Sequence, residues 1–370
     1  MTLKKFVRKN RLILAILFFV TVGISATLTY FYFPIEKQVV EPTKLSNQDK
    51  TKEIFNRDLI NERIEDLKSL NILLLGYGGA GHQGGYLADV IQIVNIDFEN
   101  DLINFISIPR DLWITLPNKK QAKINQALTL GNDQSQLILS GGKVAKQMAE
   151  IVSGIDVDYF IAIDFVGFKR TIGETLEGIT VDVPETLNDP WYPITGEELN
   201  PCGMTPEEVA ELTNNYSGFE LERQFECRYE HLQYKKGLVE MEGGDALKYV
   251  RSRHGSTAGD FSRSQRQKTV LLAIKNKLFD LESLGKIPEF FKLATNNVCT
   301  DFDLEILQYL APALHQTSNY QNQSIILSTE NTLKSSKSNG GQFILIPKAG
   351  LDQWQDTYQF IEREKQRKTE

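Results

Sequence analysis

NILLLGYGGAGHQGGYLADVIQIVNIDFENDLINFISIPRDL, residues 71 to 112, holds three apolar runs that decide the fold. NILLLG, VIQIVNID and LINFISIP are each a few residues long, rich in Ile, Leu and Val, and bounded by glycines or charges, which predicts three β-strands. The first is followed by GYGGAG, Gly76 to Gly81, formally the G-x-G-x-x-G of dinucleotide sites. That fingerprint needs a helix to start at its third glycine. Here HQGGYL adds two more glycines, each costing about 1 kcal/mol relative to alanine in a helix, so Gly76 to Gly85 is expected to be a loop without a cofactor.

Working outward, strands alternate with helices. A helix is expected near Val144 to Val152, a strand at YFIAID, a helix near Gly167 to Leu176 and a strand at ITVDV. Residues 184–238 break this rhythm as a loop-rich insertion with one short helix at TPEEVAELT, where Thr205 caps and Pro206 takes the first helical position. The core resumes with the helix GGDALKYVRSR and a second helix carrying Val270, Leu271, Ile274 and Leu278 on one face. Further helices are expected near Asp303 to Gln316 and Gln353 to Arg363, with strands at SIILS and FILIP. This pattern predicts an α/β class, a layered α/β/α domain with a central mixed β-sheet. It would span residues 71–370, with 280–370 as its C-terminal part.

Ahead of that domain lies a different kind of sequence. Residues 1–11 carry Lys4, Lys5, Arg8, Lys9 and Arg11, and residues 12–33 are an uninterrupted apolar run, long enough to cross a hydrocarbon core of about 30 Å. The basic flank predicts a cytoplasmic tail, a single transmembrane signal anchor and an extracytoplasmic body. A cleavable signal peptide is the alternative, since Ser25-Ala26-Thr27 is a small-residue patch. Residues 34–70 are polar and charged, as a linker or stalk would be. The formal net charge of the 370 residues is −7, and −7 less the five basic residues of the tail leaves −12 for the rest, which argues against nucleic acid as a partner.

On this acidic body, residues 249–268 concentrate Arg251, Arg253, Arg263, Arg266 and Lys268 against a single acid, Asp260. Arginine forks suit phosphate oxygens, and a helix start near Arg263 adds partial positive charge. Asp89 stands at the head of one strand, and Arg110 and Asp111 stand just past another, where Pro109 stops the ladder. Two carboxylates at strand ends are a sufficient protein contribution for Mg²⁺, which takes its remaining ligands from water and phosphate. The plainer alternative for Asp111 is an ion pair with Arg110 or a turn cap. Lys123 offers one more cation. Cys202 and Cys227 share the polar insertion, which predicts a disulfide between them with Cys299 left over; spacing alone leaves free thiols open.

SIPRDLWI, KINQALTL with its spacing to Gly141-Gly142, GIDVDYFIAIDFVGFKRTI, GITVDV and above all ALKYVRSRHGSTAGDFSRSQRQ resemble the LytR-CpsA-Psr family of membrane-anchored glycopolymer transferases. The resemblance runs from Ile72 to Lys277, with weaker agreement at VCTDFDL. It implies transfer of a glycopolymer from a polyprenyl-pyrophosphate carrier to a peptidoglycan-type sugar hydroxyl, forming a phosphodiester. It also implies Asp89 and Asp111 as metal-binding acids, with Arg110, Arg251, Arg253, Arg263 and Arg266 around the diphosphate. Lys123 and Gln267 would support them, and Asp260 would orient an arginine. Asp89, Asp111 and Arg110 are the expected catalytic group, Asp89 also as the acceptor of the hydroxyl proton. The sequence departs from the family at Leu87-Ala88-Asp89-Val90, where a Ser or Thr usually follows the acid. A non-catalytic binder of the lipid or the wall, and a membrane-bound transcriptional attenuator, are the competing functions.

Overall fold

In chain order the strands are β1 (Ser69–Tyr77), β2 (Ala88–Asp97), β3 (Leu102–Ser107), β4 (Trp113–Thr115), β5 (Gln121–Lys123), β6 (Tyr159–Asp164), β7 (Ile179–Val183), β8 (Leu187–Pro193), β9 (Tyr229–Tyr234), β10 (Gly237–Met241), β11 (Val298–Thr300), β12 (Gln321–Ile326), β13 (Leu333–Lys337) and β14 (Phe343–Pro347). The helices are α1 (Leu137–Ser153), α2 (Phe165–Arg170), α3 (Pro206–Asn215), α4 (Gly218–Glu222), α5 (Gly243–Arg251), α6 (Gly259–Leu278) and α7 (Gln355–Lys365). They come from a computed structural model, which describes residues 68–82, 84–252, 255, 259–278, 297–302, 314 and 316–367. The expected tail at 1–11, anchor at 12–33, most of the linker and the helix at 303–316 lie outside the described residues, apart from isolated positions at its end. Among the described residues no helix is long and apolar enough to cross a membrane. The first strand starts at Ser69, two residues inside the expected linker.

A six-stranded mixed sheet, in the order β11-β6-β1-β2-β3-β12, forms the centre. β1 runs parallel to β6 and antiparallel to β2, β2 is antiparallel to β3, and β12 is parallel to β3. Four strands therefore point one way. On one face Leu73, Leu75, Ile91, Ile93, Ile106 and Ile325 pack under α1 and α7, in a cluster that includes Met148, Val152, Phe160 and Ile361. α1 begins seven residues ahead of the stretch expected from sequence, because Gly141 and Gly142 lie inside it. A Cβ on Gly142 would sit 2.2 Å from the Phe160 ring. The glycines thus permit close helix–strand approach, which outweighs their poor helix propensity.

A row of amides crosses the same face near one end of the sheet. Asn95 donates to Asn71 at 2.7 Å, Asn104 donates to Asn95 at 2.7 Å, and Gln323 donates to Asn104 at 2.5 Å. The ends of the row are satisfied by the Asp156 and Glu364 carbonyls. The four residues are directly opposite one another in register across β1, β2, β3 and β12. A one-residue slip would break the row, so it fixes the register as well as satisfying itself.

A second cluster joins Ile179, Val181 and Val183 of β7 to Met241, Tyr249, Val270 and Ala273, so that α5 and α6 pack on the β7/β10 ribbon. The 184–238 insertion is more ordered than its composition suggests. It is the β8/β9 hairpin carrying α3 and α4, with the expected capping box at Thr205 and Glu208 and a disulfide between Cys202 and Cys227. Cys299 is a free, part-buried thiol on β11.

Candidate functional site

The strand directions bring the candidate residues to one end of the sheet. β1, β3 and β6 finish there and antiparallel β2 starts there, with Tyr77 opposite Ala88 and Gln92 opposite Ser107. Past β3, the Ile108 amide still bonds Ile91 at 2.9 Å; Pro109, which has no N–H, then ends the ladder and a turn closes from Leu112 N to Pro109 O at 3.1 Å. Arg110 and Asp111 occupy that turn beside Asp89. Arg110 Nη1 donates to Asp89 Oδ1, and its Nε lies 3.7 Å from Asp111 Oδ2. Lys123, placed opposite Trp113 in the β4/β5 hairpin, reaches Asp111 Oδ1 at 2.5 Å. The result is a charge-alternating chain Asp89–Arg110–Asp111–Lys123 with no net charge. Asp89, at 41% exposure, is its open end, and Lys123, at 21%, its closed one. The ion pair that was the plainer alternative for Asp111 is thus present, with Lys123 as the nearer partner.

The C-terminal part supports this turn in a way sequence reasoning missed. The Leu345 amide of β14 donates to the Asp111 carbonyl at 3.0 Å, and Asp352 accepts from Thr115 Oγ1 at 2.6 Å. No local motif at residues 343–352 announces these contacts. They arise only from tertiary pairing.

Arg251 enters from α5. Its guanidinium lies 4.4 Å from the centroid of the Phe165 ring and donates to Tyr192 Oη at 3.3 Å. Phe165 opens α2 directly after β6, so this contact brings Arg251 to the same end of the sheet as Asp89. Tyr77 closes β1 nearby; burial and the charge of Asp164 push its hydroxyl up to about 12, leaving it a protonated donor. Neither Phe165 nor Tyr192 was expected. An aromatic residue at a strand end is a weak signal that gains meaning only when an arginine is stacked on it.

The remaining arginines separate. Arg266 is 5% exposed and turns inward: its Nε donates to the Tyr249 carbonyl at 3.0 Å and its Nη2 to the Ser252 carbonyl. Burial lowers its pKa, opposed by the nearby Tyr249 and Asp189. These two donors hold the C-terminal end of α5. Arg263 and Gln267, four residues apart on one face of α6, are half-buried, whereas Ser264 and Arg266 on either side of them are buried. Arg253 lies outside the described residues; Asp260 is on the backbone of α6, with its side chain outside them.

Among the described residues no three His, Cys, Asp or Glu side chains cluster as a metal site. Asp89 and Asp111, joined through one guanidinium, form a two-carboxylate donor set. That fits Mg²⁺ completed by water and phosphate oxygens, and fits a thiolate- or imidazole-seeking ion poorly.

Comparison with known proteins bears on the family and the fold. The polyisoprenyl-teichoic acid–peptidoglycan teichoic acid transferase TagU of Oceanobacillus iheyensis is 24% identical over 265 residues, covering 72% of this chain and 67% of that protein. The regulatory protein MsrR of Staphylococcus aureus is 26% identical, covering 68% of this chain and 60% of that one. The crystal structure of Bacillus subtilis TagV superposes with a TM-score of 0.54 at 22% identity, over 81% of this chain and 99% of that one, which establishes the shared fold. The LytR_cpsA_psr family model matches residues 29–365, and the chain belongs to that family.

Proposed function

We propose that this protein transfers a glycopolymer from a polyprenyl-pyrophosphate carrier to a peptidoglycan hydroxyl, and does so outside the cell, anchored by residues 12–33. The observation that carries the proposal is the placement of the Asp89–Arg110–Asp111–Lys123 chain and of Arg251 at the same end of the central sheet. The relative named as a teichoic acid transferase supports the reaction class.

The acceptor hydroxyl attacks the phosphorus that bears the polymer. The new bond is a phosphodiester to the wall sugar, the bond broken runs to the bridging oxygen of the diphosphate, and polyprenyl phosphate leaves with that oxygen. Charge grows on the equatorial oxygens and on the leaving phosphate, so positioned cations are the main source of acceleration. Arg251 is held ready by Phe165 and Tyr192, and Arg110 is held by two carboxylates. A neutral chain of four charges attracts a diphosphate weakly. Mg²⁺ at Asp89 and Asp111 would supply the missing positive charge, free Arg110 for the anion and stabilise the oxygens of the transition state. Asp89, the open end of the chain, accepts the proton of the incoming hydroxyl in this reading. Arg253, Arg263 and Gln267 complete the anion site in this reading, and the polyprenyl chain needs an apolar groove in the same domain.

The regulatory name of one relative favours a second reading, a regulator without transferase turnover. Purified full-length protein, given a synthetic polyprenyl-pyrophosphate-linked glycan, peptidoglycan oligomers and Mg²⁺, separates the two. The proposal requires equal amounts of phosphodiester-linked conjugate and polyprenyl phosphate. Lipid binding with neither product would establish a binder.

A further inference from the structure

The 184–238 insertion touches the arginine segment through β8, and the contact is built from buried polar groups. Asp189 is fully buried, an unusual state for a carboxylate. Its Oδ2 accepts from Ser252 Oγ at 2.6 Å and its Oδ1 from the Trp191 amide at 2.9 Å. Ser252, 1% exposed, directly follows Arg251, and its carbonyl accepts from Arg266 Nη2. Three residues along β8, Tyr192 takes the Arg251 guanidinium itself. Gly255 adds a steric constraint: a Cβ there would meet Leu187 Cδ1 at 2.4 Å and Asp189 Cβ at 3.0 Å, so the backbone at Gly255 lies close against β8.

We infer that β8 fixes the chain at Arg251, Ser252 and Gly255, with Asp189 as a positioning residue acting on diphosphate binding through Ser252. Ser252 directly follows Arg251, and its backbone must be fixed before that guanidinium can be pre-organised. A buried carboxylate supplies a strong, charge-assisted anchor for one hydroxyl. Arg266 secures the same residue from the other side through its carbonyl, so Ser252 is clamped between an acid of the insertion and a base of α6. The insertion thereby belongs to the anion site although none of its charged side chains need touch the ligand.

The inference rests on the proposed function, and the experiment keeps the two apart. Inorganic pyrophosphate is titrated into the full-length protein by calorimetry, with transfer kinetics measured in parallel. Arg251→Ala tests the site: unchanged pyrophosphate affinity there overturns the site assignment itself. Given that loss, Asp189→Asn, Ser252→Ala and Gly255→Ala are each expected to weaken pyrophosphate on the order of 10-fold, as outer partners of a binding group do. KM for the lipid substrate should rise more than kcat falls. Because Asp189 acts through Ser252, the double variant should lose no more than the worse single one. Additive losses overturn the relay, as does unchanged affinity in Ser252→Ala. Where Asp189→Asn fails to fold, Ser252→Ala and Gly255→Ala decide the matter, since both leave the buried acid in place.

Discussion

The two ends of the central sheet solve opposite problems with the same strands. At one end, Asn71, Asn95, Asn104 and Gln323 form a row of neutral amides, buried at the asparagines and half-buried at Gln323, whose linking groups are paired. At the other, six residues and about 20 Å along β1, Asp89, Arg110, Asp111 and Lys123 form a half-exposed chain of full charges. The amide row is self-sufficient and serves specificity of register. The charged chain is balanced only internally, is open to solvent at Asp89, and offers an incoming anion or cation a better partner. Internal satisfaction marks the first end, and the proposed diphosphate site lies at the second.

The sharpest way to break this contrast is to exchange the consequences. Arg110→Ala should reduce transfer by about 10²–10³-fold, the usual loss when one positioned donor to a developing charge is removed. Its unfolding free energy should change by less than about 1 kcal/mol, because the ion pairs it makes are part-exposed. Product release assays and urea unfolding on the same preparation check both halves. Asn95→Leu should behave in the reverse sense. It orphans the Asn71 acceptor and the Asn104 donor and should cost about 2–3 kcal/mol of stability. Pyrophosphate affinity well below the melting temperature should match wild type. A loss of activity in that variant without loss of stability would mean the two ends are not separate.

Smaller effects refine the comparison. Replacing both Cys202 and Cys227 by Ser opens a loop spanning 25 positions. Loss of a native disulfide costs about 2–5 kcal/mol, and the low end is expected here because the half-exposed β8/β9 hairpin can open without the central sheet, as hydrogen exchange over residues 187–234 would report. The smallest effect is at Asp158, which brackets the amide row by accepting from the Asn71 amide at 2.8 Å. Burial raises its pKa above the ordinary 3.8, outweighing the opposing Asn71 hydrogen bond and Lys146 charge. A raised folded value means its favourable contribution is complete below pH 3.8 and is lost as pH rises through that folded value. Asp158→Asn should therefore flatten the stability profile just above pH 3.8, as denaturant midpoints against pH would show.

The sheet was legible because its strands are short, apolar and bounded by turn residues, so NILLLG, VIQIVNID and YFIAID declare themselves locally. Asp89 and the Arg110–Asp111 pair were legible as strand-end charges. What the sequence hid depends on which way a side chain turns or on distant partners. Arg266 reads like Arg263, yet three residues of helix rotate it into the core. Asp189 sits in a stretch whose prolines and polar residues read as loop, although it is a buried strand residue. β14 supports Asp111 from more than 200 positions away, a contact no window can contain.

The most direct test of the central claim, that the charged end of the sheet is a Mg²⁺-assisted diphosphate site, is a pyrophosphate titration of wild type and of the Asp89→Asn, Asp111→Asn double variant, with Mg²⁺ and with EDTA. Wild type should bind more tightly with Mg²⁺ than without, and the double variant should show no such difference. An equal Mg²⁺ enhancement in both proteins would contradict the account.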